Sequence, residues 1–194
     1  MVSQTQDVFD HTHPLEVDIG SGKGRFLLAR AAAFPLVNFI GIERQRRRAD
    51  KVSAKAQRAG LDNLRLLNMD IHEALETQIP EASVQTFYIF YPDPWPKRRH
   101  HCRRLINAEF LVLLHRKLRP DGHVHFATDD LDYFAAATPV FLASPLFTPI
   151  APFIPQPDEQ TDFELLFAAV GKHANRCSVQ AINTPRVAAP EPPV

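Results

Sequence analysis

Acidic residues stand in or just beyond the apolar runs that predict strands in this 194-residue chain. They are Asp18, Glu43, Asp70, Asp93 and Asp129. In an open α/β sheet, ligands bind in the crevice at the carboxyl ends of the strands. A single loop acid is commonly only solvated, but five on successive strands favour one shared site. Such a row of carboxylates suits a ligand with hydroxyls, an amino group and a positive charge.

A glycine-rich turn, residues 20–24 (GSGKG), follows the first predicted strand. Glycines allow a sharp turn and a close approach of the backbone to a ligand. The GxGxG spacing differs from both the GxGxxG fingerprint and the GxxxxGK[ST] loop, so it argues little for a dinucleotide or ATP. Glu43 follows Gly20 by 23 residues, where an acid meets ribose hydroxyls in nucleotide-binding units. The alternative is a surface acid that caps an arginine-rich helix.

The fourth predicted strand leads into residues 90–104, FYPDPWPKRRHHCRR. Its three prolines exclude both a helix and a central strand. Five basic residues within eight positions favour contacts with phosphates, and Trp95 or the histidines are able to stack on a base. The five are Lys97, Arg98, Arg99, Arg103 and Arg104. The alternative is a solvated helix start with Trp95 packed into the core.

The elements that would position these residues alternate between strand and helix patterns, which predicts βαβ units and a parallel sheet. Strands are expected at Leu15–Ile19, Val37–Ile42, Leu64–Leu67, Val84–Phe90 and His123–Ala127. Helices are expected after the glycine turn and at residues 44–59, 71–78 and 103–117. Residues 161–170 (TDFELLFAAV) are predicted as a late strand. The fold class is α/β: a Rossmann-like, mostly parallel twisted sheet with helices on both faces and a late antiparallel strand.

Length and composition predict a single domain over residues 1–180 and a flexible tail over residues 181–194. The 22 basic and 22 acidic residues cancel, which removes the simplest argument for a nucleic-acid partner, a globally basic protein. The charges are segregated, however, because residues 44–119 hold 16 basic and 8 acidic groups. A neutral protein can bind RNA if such a basic stretch is exposed beside the crevice.

Several classes of protein are disfavoured. Two cysteines are too few for a disulfide framework, and no secretory signal is evident, so we expect a cytoplasmic protein. Residues 133–157 are uncharged, but their six prolines disfavour a membrane span and favour a buried helix followed by an extended connection. His100, His101, Cys102 and His115 match no zinc spacing, so no metal is expected.

The acids and the glycine turn together resemble class I S-adenosylmethionine-dependent methyltransferases, whose cofactor lacks phosphates and carries a sulfonium cation. A closer resemblance is to the bacterial tRNA (guanine-N7-)-methyltransferase family, over about residues 15 to 171. It rests on five motifs: PDPWPKRRH at 92–100, GIE at 41–43, GLDNLRLLNMD at 60–70, ATD at 127–129 and TDFE at 161–164.

This resemblance implies transfer of a methyl group from S-adenosylmethionine to N7 of a guanine in the tRNA variable loop, by a monomer or homodimer. The implied cofactor-binding residues are Asp18, Gly20, Gly22, Gly24, Glu43, Asp70 and Asp93, with Asp93 also catalytic. The implied substrate-binding residues are Lys97, Asp129, Thr161, Asp162, Phe163 and Glu164. The implied RNA-binding residues are Arg98, Arg99, His100, Arg103 and Arg104.

Guanine N7 has a lone pair and no proton, so the reaction needs alignment and charge stabilisation rather than a general base. A carboxylate that accepts hydrogen bonds from the guanine would orient it, and the sequence leaves Asp93 and Asp129 as equal candidates. Two other functions remain open. A methyltransferase for a small molecule or protein is disfavoured by the clustered cations, and a non-catalytic RNA-binding relative is disfavoured by the five retained acids.

Overall fold

The computed structural model describes residue 9 and residues 13–183. Its strands are β1 (Leu15–Ile19), β2 (Asn38–Ile42), β3 (Leu64–Leu67), β4 (Val84–Phe90), β5 (Leu118–Thr128), β6 (Phe147–Ile150) and β7 (Asn175–Ala181). Its α-helices are α1 (Arg25–Ala33), α2 (Arg46–Arg58), α3 (Ile71–Thr77), α4 (Ala108–Lys117), α5 (Leu131–Ala143) and α6 (Asp162–Ala169). A 3₁₀-helix covers Arg98–Arg103.

The strands form one sheet in the order β3-β2-β1-β4-β5-β7-β6. The pairs among β1 to β5 are parallel, whereas β7 runs antiparallel to both β5 and β6. The chain winds outward from β1 to β3 and then returns to place β4 on the other side of β1. Strand order therefore reverses between β1 and β4, which is where an open α/β sheet has its ligand crevice.

Helices cover both faces of the sheet, as predicted. On one face, α3, α4 and α5 pack on the apolar side chains of the central strands, among them Ile40 and Ile89. On the other face, α1 and α2 pack on a second cluster that includes Leu27 and Phe39. Residues 39 and 40 point to opposite faces because successive strand side chains alternate. Each fully buried side chain of this size contributes about 2 kcal/mol to stability.

The late strand predicted at residues 161–170 is wrong, because Asp162–Ala169 is the helix α6. Thr161 caps this helix, with its hydroxyl accepting a hydrogen bond from the Glu164 N–H (3.0 Å). A threonine followed three residues later by glutamate is a helix-start pattern, which outweighs the β propensity of the apolar run. The antiparallel strands are instead β6 and β7. Pro149 fits in β6 because that strand lies at the edge of the sheet.

Other boundaries differ in smaller ways. The helix predicted at residues 103–117 is split, since α4 begins only after Asn107, whose side chain accepts from the Phe110 N–H (2.9 Å). Strand β5 contains an irregularity at residues 120–122, with φ 60° at Asp121. The predicted tail begins inside β7, and residues 184–194 lie outside the described residues. Within the described chain, no helix is long and apolar enough to cross a bilayer.

Candidate functional site

The turn between β1 and α1 requires glycine. Gly20, Gly22 and Gly24 have φ values of 81°, 57° and 75°, which other residues rarely adopt. At Gly24, a Cβ atom would also come within 2.5 Å of a methyl group of Val52 in α2, so the close packing of the two helices excludes a side chain. At Gly20, a Cβ would meet nothing within 4 Å. The backbone at this point borders open space.

Glu43 is held directly beneath the glycine turn. One carboxylate oxygen accepts from the Gly22 N–H (3.0 Å) and the other from the Gln45 N–H (2.7 Å). The residue is only 7% exposed, so it is not the surface acid of the alternative interpretation. The Arg48 guanidinium lies 4.0 Å from one of its oxygens. Because each carboxylate oxygen has two lone pairs, both retain capacity to accept from a ligand.

Asp18, near the end of β1, is 5% exposed, and its carboxyl accepts no hydrogen bond from the described residues. Burial, the larger cause, and the negative charge of Glu43 together raise the pKa of Asp18 to about 7. A carboxyl group in this state gains a favourable partner when a positive group enters the site.

A crevice of about 640 Å³, open to solvent, lies over this turn. Seven predicted site residues line it: Asp18, Gly20, Gly22, Gly24, Thr161, Asp162 and Phe163. Lys23, Arg25 and Arg48 also line it, so the crevice is not lined by acids alone, as the row of carboxylates in the sequence predicts. These cations come from the glycine turn and the two helix starts beside it. The crevice therefore offers partners for both negative and positive groups of one ligand.

Asp70 and Asp93 lie at the same sheet edge but do not line the crevice. Asp70 is exposed and caps α3, since its carboxylate accepts from the His72 N–H (2.9 Å). Asp93 is exposed in the proline-rich loop after β4, and no described residue donates a hydrogen bond to its side chain. The structure thus brings Asp18 and Glu43 close to the glycine turn and leaves Asp93 available to a second ligand.

The basic segment after Asp93 is mostly exposed. Lys97, Arg98, Arg99 and Arg103 are exposed, and His100 is half-buried. Trp95 is half-buried outside the hydrophobic core clusters, which contradicts its alternative as a core side chain. The Arg103 guanidinium lies 5.0 Å from the centre of the Trp95 ring, and His100 meets that ring edge-on.

Arg104 does not lie with the exposed cations. It is 7% exposed, its Nε donates to the Pro94 carbonyl (2.9 Å), and its guanidinium pairs with Asp132 at the start of α5. The same guanidinium packs 5.0 Å from the Tyr133 ring centre. Arg104 therefore fixes the proline-rich loop to α5. A buried arginine of this kind has no sequence signal that separates it from its exposed neighbours.

Two predicted substrate residues, Asp129 and Glu164, are engaged in ion pairs that the sequence did not reveal. The Asp129 carboxylate lies 3.1 Å from the Lys172 ammonium group. Glu164 pairs with Arg176 of β7. Phe163 is 46% exposed beside the crevice. Arg176 lies in β7 and Lys172 just before it, and this strand differs from the one predicted at residues 161–170.

Tyr91, at the start of the proline-rich loop, also went unnoticed in the sequence. It has φ 52°, a left-handed conformation that is costly for a residue with a side chain. Its ring packs near Phe163 and Phe167, at 6.2 Å and 5.7 Å between centres. Burial raises the pKa of the Tyr91 hydroxyl, and the hydroxyl has no hydrogen-bond partner among the described residues.

A buried ionic network anchors the proline-rich connection between β6 and α6, residues 151–161. Arg30 of α1 donates to Glu159 (3.2 Å), Glu16 (3.1 Å) and the Tyr88 hydroxyl (3.1 Å). The Arg25 Nε donates to the Gln160 carbonyl (3.0 Å). The connection is thereby tied to α1 and β1 immediately before the residues that line the crevice. Within the part of the chain described, no group of three or more His, Cys, Asp or Glu side chains is placed to hold a metal ion.

Two solved structures with the same architecture are methyltransferases. The 16S rRNA methyltransferase KamB superimposes with a TM-score of 0.70 at 15% identity, covering 91% of this chain and 92% of its own. The antibiotic-resistance methyltransferase Kmr has a TM-score of 0.62 at 19% identity, with 90% of each chain covered. At these identities the comparison concerns the fold. The fold is that of a class I methyltransferase.

Sequence comparison narrows the class. The family model Methyltransf_4, described as "Putative methyltransferase", matches residues 12–176. The tRNA (guanine-N(7)-)-methyltransferase of Aliivibrio salmonicida is 41% identical over 163 residues, covering 81% of this chain and 68% of that relative. The enzyme of the same name from Halorhodospira halophila is 44% identical over 126 residues, 65% of this chain and 54% of the relative. The chain belongs to the tRNA (guanine-N(7)-)-methyltransferase family.

Proposed function

We propose that this protein transfers a methyl group from S-adenosylmethionine to N7 of a guanine in the variable loop of tRNA, forming 7-methylguanosine. The observation that carries the proposal is 41% identity, over 81% of the chain, to a relative named for this reaction. The geometry supports it, because a polar crevice at the strand reversal lies beside an exposed basic segment. We expect the reaction to occur in the cytoplasm, where tRNA is found, with the protein as a monomer or homodimer.

The residues of the crevice fit the cofactor. Glu43 retains lone pairs for the ribose hydroxyls, and Asp18 offers a positive group a buried carboxyl that accepts no hydrogen bond from the described residues. Gly20 leaves room that any side chain would fill. The cofactor, when bound, supplies a methyl group activated by a sulfonium cation. The exposed Asp70 is proposed as a further contact from the β3 side.

Asp93 is proposed to hold the guanine. Its exposed carboxylate is free to accept hydrogen bonds from the N1–H and the amino group of the base, which orients N7 and favours the positive charge that N7 acquires. Asp129 is already paired with Lys172, which makes it the weaker candidate for this role. Because N7 carries no proton, no side chain needs to remove one.

The groups around Asp93 are proposed to hold the rest of the tRNA. Lys97, Asp129 and residues 161–164 border the acceptor base, and Arg98, Arg99, His100 and Arg103 contact phosphates of the loop. Arg104 is assigned a positioning role instead, because its guanidinium is buried against Pro94 and Asp132. A small methyl acceptor would make no use of so many exposed cations.

The proposal is tested by incubating the protein with methyl-labelled S-adenosylmethionine and unmodified tRNA, then digesting the RNA to nucleosides. Label in 7-methylguanosine is the expected result. A matched control uses the same tRNA with adenine in place of the variable-loop guanine, which should accept no label. Label in another nucleoside, or none in the RNA, would overturn the proposal.

A further inference from the structure

Helix α2 carries an unusual concentration of positive charge. Residues 44–58 contain seven basic residues and one acid, in a protein whose net charge is zero. Four of them form one stripe, which we call the α2 basic surface: Arg47, Lys51, Lys55 and Arg58. Their spacing places them on a single side of the helix. All four are exposed, whereas the opposite side of α2 is buried in the core.

The stripe is not neutralised by the protein. Among the residues that the structure describes, the ion pairs of α2 are Arg46 with Asp50 (3.7 Å) and Arg48 with Glu43 (4.0 Å). Neither pair involves the α2 basic surface. Like charges one helical turn apart repel each other, so the stripe opposes the stability of its own helix.

The start of α2 adds to this cost. Arg46, Arg47 and Arg48 occupy its first turn, which contains no acid, although the positive end of the helix dipole lies there. Helix α4 shows the ordinary arrangement, with Glu109 in its first turn and its basic residues in the last. The dipole favours Lys55 and Arg58, which lie in the last turn of α2, but not the three arginines of its first turn. Helix stability therefore does not account for those three arginines or for Lys51, whereas a polyanionic partner would.

The position of α2 indicates which partner this is. It starts at the carboxyl end of β2, and its Arg48 lines the crevice. The basic segment 97–103 follows β4. Because β2 and β4 flank β1, the two basic regions begin on opposite sides of the crevice, with strand ends about 10 Å apart. The stripe from Arg47 to Arg58 is about 16 Å long, enough to meet several phosphates of an RNA backbone.

We propose that the α2 basic surface is a second tRNA-binding surface, which contacts the sugar–phosphate backbone across the crevice from residues 97–103. This inference rests on the proposed function and extends it from one basic segment to two. The stripe contributes to affinity through phosphate contacts and leaves the chemical step unchanged. Because phosphate contacts release counterions, the contribution of the stripe to tRNA affinity should decrease as the salt concentration rises.

The test compares two charge reversals of equal size. Lys51→Glu alters the stripe, and Arg119→Glu alters an exposed residue at the amino end of β5, remote from the crevice. Methylation of unmodified tRNA is measured at several salt concentrations, together with cofactor binding and the thermal unfolding midpoint. For Lys51→Glu we expect the KM for tRNA to rise about tenfold with kcat and cofactor affinity unchanged, and for Arg119→Glu less than about twofold.

The salt dependence gives a second readout. The double variant Lys51→Gln/Lys55→Gln should reduce the slope of log affinity for tRNA against log salt by about 2, because each lost phosphate contact lowers it by about 1. Equal KM values and equal slopes in wild type and both α2 variants would overturn the inference while the proposed function stood. Failure of the wild type to form 7-methylguanosine would instead overturn the proposed function. A fall in kcat alone would also overturn the inference, since it assigns α2 no part in the chemistry.

Discussion

Two halves of the candidate site differ in how far the protein itself supplies hydrogen-bond donors to one acid in each, Glu43 and Asp93. In the cofactor half, formed by β1, the glycine turn and Glu43, the critical carboxylate already accepts two backbone N–H groups. In the acceptor half, formed by residues 91–104 with Asp129 and residues 161–164, Asp93 and Lys97 are exposed. On the proposed assignment, the described residues hold Glu43 in place before the cofactor binds, whereas Asp93 would gain its donors from tRNA.

This difference predicts that a substitution in the acceptor half changes turnover or the KM for tRNA, whereas a substitution in the cofactor half changes cofactor affinity. The largest effect is expected for Asp93→Ala, which removes the group proposed to orient guanine and to stabilise the developing charge. Turnover should fall on the order of 10³-fold. Cofactor affinity, measured by calorimetry, should stay within about twofold of wild type.

Asp62→Ala is a matched control for that variant, because Asp62 is also an exposed loop aspartate and lies outside both halves. It should methylate tRNA at the wild-type rate. A folded Asp93→Ala variant with nearly normal turnover would remove Asp93 from the mechanism, and a large loss of cofactor affinity would move it into the cofactor half.

Glu43→Gln should change cofactor binding rather than the handling of tRNA. The amide keeps the size of the side chain but turns an NH₂ group toward one of the N–H donors at Gly22 and Gln45, and it weakens the contact with ribose. Cofactor affinity should fall roughly 10- to 100-fold, with the KM for tRNA unchanged. Calorimetry with S-adenosylhomocysteine in the absence of RNA checks this. Unchanged cofactor affinity with impaired tRNA binding would contradict the division into halves.

Asp18 should make the cofactor affinity depend on pH. Its raised pKa of about 7 means that the carboxyl is mostly protonated at pH 6 and mostly ionised at pH 8. The ionised form attracts the positive groups of the cofactor, so affinity should increase about tenfold as pH rises from 6 to 8. Asp18→Asn should bind more weakly at pH 8 and show little change over this range. The same slope in both proteins would assign the pH dependence to another group.

Arg104→Met should have the smallest effect, because it loosens the acceptor half without removing a phosphate contact. The KM for tRNA should rise about threefold while the salt dependence of binding stays as in wild type. Arg103→Met, an exposed neighbour, should lower the salt slope by about 1. If Arg104→Met lowers the slope equally, Arg104 contacts RNA directly.

The contrast between the two halves also explains which features could be predicted from the sequence. The parallel strands and the glycine turn follow from local patterns: β1, β3 and β4 begin and end at the predicted residues. Glu43 could be placed because a fixed spacing connects it to Gly20. These features depend on residues close in the chain, for which periodicity and spacing carry the information.

The acceptor half depends on contacts between distant residues, which local patterns do not encode. Lys172, just before β7, reaches Asp129, just after β5, because these two strands pair. The anchoring of Glu159 by Arg30 spans 129 residues. The wrong prediction of a strand at residues 161–170 has a local cause, however, because Thr161 and Glu164 form a helix-start pattern that outweighs the β propensity of the apolar run.

The position of the modified base tests the central claim most directly. Borohydride reduction and aniline treatment cleave RNA at 7-methylguanosine, so tRNA treated with the protein and S-adenosylmethionine can be mapped by the length of its fragments. The account predicts one cleavage, in the variable loop, with the wild-type protein and essentially none with Asp93→Ala. Cleavage elsewhere, no cleavage with wild type, or equal cleavage with both proteins would contradict it.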